Sequence, residues 1–172
     1  YPHELVLVPH ELDLRPTVKY INDLSNNPGE DVCVEVHLNS NVGQPGTGTE
    51  TYYGKRDLAL TLQKNIVTIL GLRDRGVKSG NHLYFNNTTR PGSALVELGF
   101  INNPGDLRKI REVGSLGLAK GVLEYMKIPI PTPPPPTPPQ IDWKEEYEKM
   151  HARVENYKRA AKENLQNLDL TE

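Results

Sequence analysis

Between Pro129 and Pro139 the chain reads PIPTPPPPTPP. Proline fixes φ and has no amide hydrogen to donate, so this run is excluded from the interior of a helix or a sheet. It predicts a semi-rigid polyproline spacer over residues 129–140. A docking site for a proline-binding domain is the minor alternative. The spacer divides the 172 residues into an N-terminal unit, 1–128, and a C-terminal segment, 141–172. Any sizeable core must be built within 1–128. Composition allows one modest core, because 36% of the residues are hydrophobic and only 6% aromatic. The single cysteine, Cys33, excludes an internal disulfide framework and a cysteine-based zinc site. Its place in a valine run predicts a small buried residue. A formal net charge of −2 carries no nucleic-acid footprint. The longest apolar runs, near 94–100 and 5–8, are too short to span a membrane.

Within 1–128, short apolar runs alternate with helical periodicity. Leu5–Val8 reads as a strand. Asp13-Leu14-Arg15-Pro16 reads as a helix entrance, with Val18, Ile21 and Leu24 on one face. Val32–Val36 is a second strand, apolar except for Glu35. Residues 42–49 are rich in glycine and form a loop, and Glu50–Tyr53 suits a short strand. Leu58, Leu62, Ile66 and Ile69 are in phase over a helix 56–70 that Gly71 stops. His82–Phe85 reads as another strand. Ala94–Phe100 is apolar on both faces, as in a sheet centre. A last helix runs from about Ser115 to Met126. The pattern predicts an α/β fold, a mostly parallel sheet covered by helices on both sides.

In the C-terminal segment, Trp143, Tyr147, Met150, Val154, Tyr157, Ala161, Leu165 and Leu168 recur at steps of four and three. This is an amphipathic helix with no partner in its own chain. It predicts a homo-oligomer assembled through 141–170, with the start of a larger C-terminal module as the alternative.

Two polar residues stand where a core would not choose them. His37 closes the run Val32–Val36 and opens into Leu38-Asn39-Ser40-Asn41. Taken alone, a histidine there is more often a satisfied structural residue than a metal ligand. Glu97 lies inside the apolar strand 94–100, where a carboxylate is costly to desolvate. Burial raises its pKa, which suits a general acid or base near neutrality. The structural alternative is an ion pair with Arg75 or Arg90. In open parallel α/β sheets, ligands bind beyond the carboxyl ends of the strands. His37 and Glu97 both lie near such ends. A zinc-bound water beside a carboxylate is a working unit for amide hydrolysis.

Four segments in order, DVCVEVHLNSN (31–41), GTGTETYY (46–53), DRGVK (74–78) and RPGSALVELGFINNPGD (90–106), resemble the zinc-dependent N-acetylmuramoyl-L-alanine amidases of the amidase-3 family. The resemblance covers roughly residues 5–127. It implies zinc as cofactor, His37 as one of its ligands and Glu97 as the catalytic acid/base. Asn39, Asn41, Arg75 and Gly76 fall in motifs near the family's cleft and are candidate substrate-side residues. Bacterial peptidoglycan is the implied partner, and the cell wall or extracellular space the implied location, reached by secretion or by release as a phage lysis protein. The family's opening Gly-His-Gly turn and the glutamate ligand after it have no counterpart. Leu5–Val8 matches the family's second strand. His3-Glu4 and His10-Glu11 are adjacent pairs, and neighbours on an extended segment point to opposite faces, so neither pair replaces the two ligands. The expectation is an N-terminally incomplete amidase, inactive alone or completed by a chain that supplies the missing segment. A non-catalytic wall-binding or assembly protein is the second reading.

Overall fold

The computed structural model describes residues 3–9, 11–43, 46–129, 144, 147–153, 155, 156 and 159. They belong to two compact units, Tyr1–Ile130 and Pro131–Glu172. The first contains, in order, α1 (Leu14–Leu24), β1 (Val32–Asn39), β2 (Thr49–Tyr53), α2 (Arg56–Leu70), β3 (Asp74–Ser79), α3 (Tyr84–Thr88), β4 (Gly92–Phe100) and α4 (Pro104–Tyr125).

The four strands form one sheet in the order β1-β4-β2-β3. β1 is parallel to β4 and β2 to β3, whereas β2 and β4 run antiparallel. The apolar β4 is therefore internal, as its lack of a polar face requires. Val32, Val34, Ala94, Val96, Leu98, Tyr53 and Val77 meet α2 and α4 on one side of the sheet. Leu58, Leu62, Ile66 and Leu70 of α2 are each 0% exposed, and burying each contributes about 1.5–3 kcal/mol. Gly71 ends α2 in the left-handed conformation, φ +60°. α2 and α4 approach almost to backbone contact. A Cβ on Gly121 would lie 3.0 Å from Leu62 Cα, and one on Gly117 3.2 Å from Ile66 Cα.

The opposite face is covered only in part. Ser93, at the start of β4, donates through Oγ to the carbonyl of Asn86 in α3. Asn22 of α1 donates through Nδ2 to the Thr88 carbonyl. The expected helical cover on both sides is thus complete on one side alone, and Glu97, near the end of β4, is only partly covered.

Three expectations need correction. Residues 5–8 adopt no strand. Leu5 and Leu7 are 86% and 81% exposed, because a strand without a neighbouring ladder has nothing to satisfy its backbone. His82–Phe85 is not a strand; Leu83 caps α3. β3 lies instead at Asp74–Ser79, an edge strand whose one aliphatic residue gives no alternation to read. α4 begins at Pro104 rather than near Ser115. Asn103 caps it: Oδ1 accepts from Gly105 N at 2.9 Å and Asp106 N at 3.2 Å.

In the second unit, the described residues 144, 147–153, 155, 156 and 159 are helical. Tyr147 and Met150 of the expected stripe are 57% and 59% exposed. The polyproline spacer from residue 130, Trp143, Val154, Tyr157, Ala161, Leu165 and Leu168 lie outside the described residues, as does His10.

Candidate active site

The alternation of β1 sorts its residues between the two faces. Val32, Val34 and Val36 are in register with Gly92, Ala94 and Val96 on the helix side. Cys33, Glu35 and His37 are in register with Ser93, Leu95 and Glu97 on the other. β2 extends that second row, with Glu50 opposite Glu97 and Tyr52 opposite Leu95. His37, Glu97 and Glu50 therefore stand side by side on three neighbouring strands. Directly opposed side chains have Cβ atoms about 4.5–5.5 Å apart.

Glu97 is half-buried. Its Oε2 is sealed from solvent and has no hydrogen-bond partner, a condition shared among the described residues by Asn86 Oδ1 alone. Burial pushes its carboxyl above the usual 4.5. A charge on His37 pulls the other way, while Glu50 and Glu35 add to the rise. The expected ion-pair alternatives are both spoken for. Arg75 Nε binds Glu50 Oε2 at 2.7 Å, and Arg90 Nη1 donates to the Asn22 carbonyl at 3.1 Å.

Glu50 did not stand out in the sequence, yet it is the most heavily bonded carboxylate of the site. It is 2% exposed. Oε2 accepts from Arg75 Nε and Lys78 Nζ. Oε1 accepts from the Tyr52 hydroxyl and from Asn39 Nδ2, each at 3.1 Å. Burial alone would raise its pKa; the bonds from Lys78, Arg75 and Tyr52 outweigh burial and hold it below 4.5. The available signal was the alternation Glu50, Tyr52 in a strand that follows a glycine-rich loop.

The other candidates divide. His37 has a side chain 47% exposed, with Nε2 3.3 Å from Glu35 Oε1. Asn39 joins the site through Glu50. Asn41 does not: its Oδ1 accepts from Gly46 N and Asn102 Nδ2, which clamps the loop after β1 to the turn after β4. Arg75 lies against Glu50. Gly76 shapes the backbone, at φ +79°. Cys33 is partly rather than fully buried. Burial pushes its thiol up to about 11, so it is not a nucleophile at neutral pH.

A catalytic zinc takes three protein ligands and a water. Among the described residues no group of three His, Cys, Asp or Glu side chains could hold a metal ion. His37 is a single imidazole whose nearest carboxylate, Glu35, already faces it. The described residues do not by themselves fit the zinc centre that the resemblance implies.

The amidase-3 family, described as N-acetylmuramoyl-L-alanine amidase, matches residues 2–124. The chain belongs to the amidase-3 family. All of the site residues named above lie within the matched span. An uncharacterized cell wall amidase of Bacillus anthracis is 35% identical over 125 residues, 62% of this chain and 23% of that protein. A germination-specific N-acetylmuramoyl-L-alanine amidase of Bacillus subtilis is 31% identical over 124 residues, 66% of this chain and 50% of that protein. The crystal structure of an N-acetylmuramoyl-L-alanine amidase from Clostridium difficile 630 superposes with a TM-score of 0.55 at 33% identity, covering 64% of this chain and 65% of that one. This amidase-3 chain thus spans half or less of those two curated relatives, and the solved relative has the same fold.

Proposed function

We propose that this amidase-3 chain is a peptidoglycan hydrolase that cleaves the amide between N-acetylmuramic acid and the L-alanine of the stem peptide. One observation carries the reading: Glu97 presents a buried, unpartnered carboxylate oxygen on the open face, in register with His37. A carboxylate whose proton affinity is raised by burial is a competent general base. Glu97 takes a proton from the attacking water as it adds to the amide carbonyl. It then returns that proton to the departing alanine nitrogen. Family membership and the named relatives support this reading. Digestion of purified cell walls, followed by end-group analysis, tests it: new L-alanine amino termini are expected, and new reducing sugar ends without them would sink it.

His37 is the described side chain we assign to zinc. The remaining ligands would come from outside the described residues or from another chain. Zinc titration of the 172-residue chain is expected to show weak binding that His37→Ala removes; tight binding unaffected by that change would refute the assignment. The lack of a three-ligand set among the described residues favours a second reading, a wall-binding protein without hydrolysis. Cell-wall pull-down with no released L-alanine termini, even with zinc added, would select it. We further infer action at the cell wall and self-association through 141–170. An unchanged mass in solution after deletion of 140–172 would defeat the latter.

A further inference from the structure

The β2–β3 ladder contains a built irregularity. Thr49 pairs with Asp74 and Thr51 with Val77, so one residue, Glu50, faces two, Arg75 and Gly76. This is a β-bulge, a device that re-aims a side chain. Its glycine takes the positive φ, and Asp74 Oδ1 braces it by accepting from Gly76 N at 2.8 Å and from Gln63 Nε2 at 2.6 Å. The bulge delivers Arg75 to Glu50. The guanidinium is then fixed twice: Nε binds Glu50 at 2.7 Å, and the planar group lies over the Phe100 ring, 5.1 Å from its centroid. Among the described residues its two terminal nitrogens make no hydrogen bond. Lys78 shares Glu50 Oε2 and lies over the Tyr52 ring, 5.6 Å from its centroid. The Arg75 and Lys78 side chains keep 30% and 40% of their surface exposed, against 3% for Glu50.

Two cations on one carboxylate leave a surplus positive charge. An arginine held by Nε alone presents the remaining fork, which matches a carboxylate bidentately. We propose that Arg75 and Lys78, set in place by Glu50, form a receptor for a substrate carboxylate on the peptide side of the scissile bond. This rests on the amidase reading and names the group that the site holds. β3 is two strands from β4, about 10 Å at the usual strand spacing, and its cations reach back to Glu50, which stands opposite Glu97, so the receptor lies within that distance of Glu97. A carboxylate one or two residues beyond the cleaved amide spans that distance. On the acyl side the N-acetylated sugars are neutral, so the carboxylate comes from the stem peptide. Glu50 is a positioning residue: it touches the cations and not the ligand.

The probes are N-acetylmuramoyl-L-alanyl-D-glutamate with its γ-carboxyl amidated and its α-carboxylate free, and the same compound with both carboxyls amidated. Their affinities for the 172-residue chain are measured by calorimetry. The free acid is expected to bind roughly tenfold tighter or more, a preference that added salt weakens. Arg75→Gln should abolish the preference and Arg75→Lys should restore part of it, with unchanged circular dichroism. Lys78→Met should reduce it. Glu50→Gln should lose the preference although both cations remain; where that variant does not fold, the Arg75 pair decides alone. Equal affinity for the two probes, no binding of either, or a preference that survives Arg75→Gln would overturn the proposal. Release of L-alanine termini is followed in the same samples. Hydrolysis without acid preference removes the receptor and keeps the amidase reading. Acid preference without hydrolysis does the reverse.

Discussion

The two halves of the sheet treat a carboxylate in opposite ways. On the β2–β3 side, Glu50 is almost wholly enclosed, yet four side chains donate to it and its pKa is held below 4.5. On the β1–β4 side, its cross-strand partner Glu97 is less enclosed, but one oxygen has no donor at all and its proton affinity rises. Burial therefore does not decide the outcome; the supply of donors does. A structural anion needs its charge made permanent. A catalytic base needs it made conditional.

The strongest way to break this contrast is to remove the conditional charge. Glu97→Gln should reduce hydrolysis by about 10²–10⁴ while wall binding and circular dichroism stay the same. Loss of folding instead would assign Glu97 to the structural class. Next, Glu50→Gln strips the charge from under Arg75 and Lys78. The expected loss is about 1–3 kcal/mol of stability, read as a lower denaturant midpoint; a neutral result would mean that the cations re-pair with Glu97.

A smaller effect separates the two carboxylates by pH. Glu50, with its folded pKa below 4.5, contributes stability that is present above 4.5 and lost as pH falls through the folded value. Glu97, with its folded pKa above 4.5, favours the folded state fully below 4.5, and that contribution disappears as pH rises through the folded value. Glu97→Gln should thus flatten the stability profile above 4.5, and Glu50→Gln the profile below it. Profiles that change in the same window would show the two groups titrating as one. The smallest effect is expected at Arg90, whose guanidinium binds the Asn22 carbonyl. Arg90→Ala should leave the acid limb of the wall-digestion rate where it is; a shift would reveal a coupling to Glu97 that the geometry lacks.

The sequence was most readable where local signals and burial agreed. The helix over 56–70 with its stop at Gly71, and the internal strand ending at Phe100, are of this kind. It was least readable where a side-chain cap or a distant partner overrides a local signal. Pro104-Gly105 looks like a break, but the Asn103 side chain turns it into the start of α4. Asp74–Ser79 has too few apolar residues to show alternation, and it is a strand because β2 offers it a ladder. The same division applies to the site. His37 and Glu97 were visible as polar residues in apolar runs. Glu50 was not, because its cations lie 25 and 28 positions away. Asn41 was read as a cleft residue, and its bond to the Gly46 amide was not legible in the sequence.

The pairing of His37 with Glu97 depends on the register of a single parallel ladder. A slip of one residue along β1 would bring Val36 or Leu38 opposite Glu97 and turn the imidazole toward the helices. A slip of two would bring up Glu35 or Asn39. None of these arrangements is a weakened site; each is a different surface. Activity per molecule would then behave as a count of correctly threaded chains rather than as a graded property of the fold. Preparations of equal helical content and unequal specific activity would differ in how many molecules carry the right alignment, and a wall-digestion assay would report folding fidelity that spectroscopy averages away.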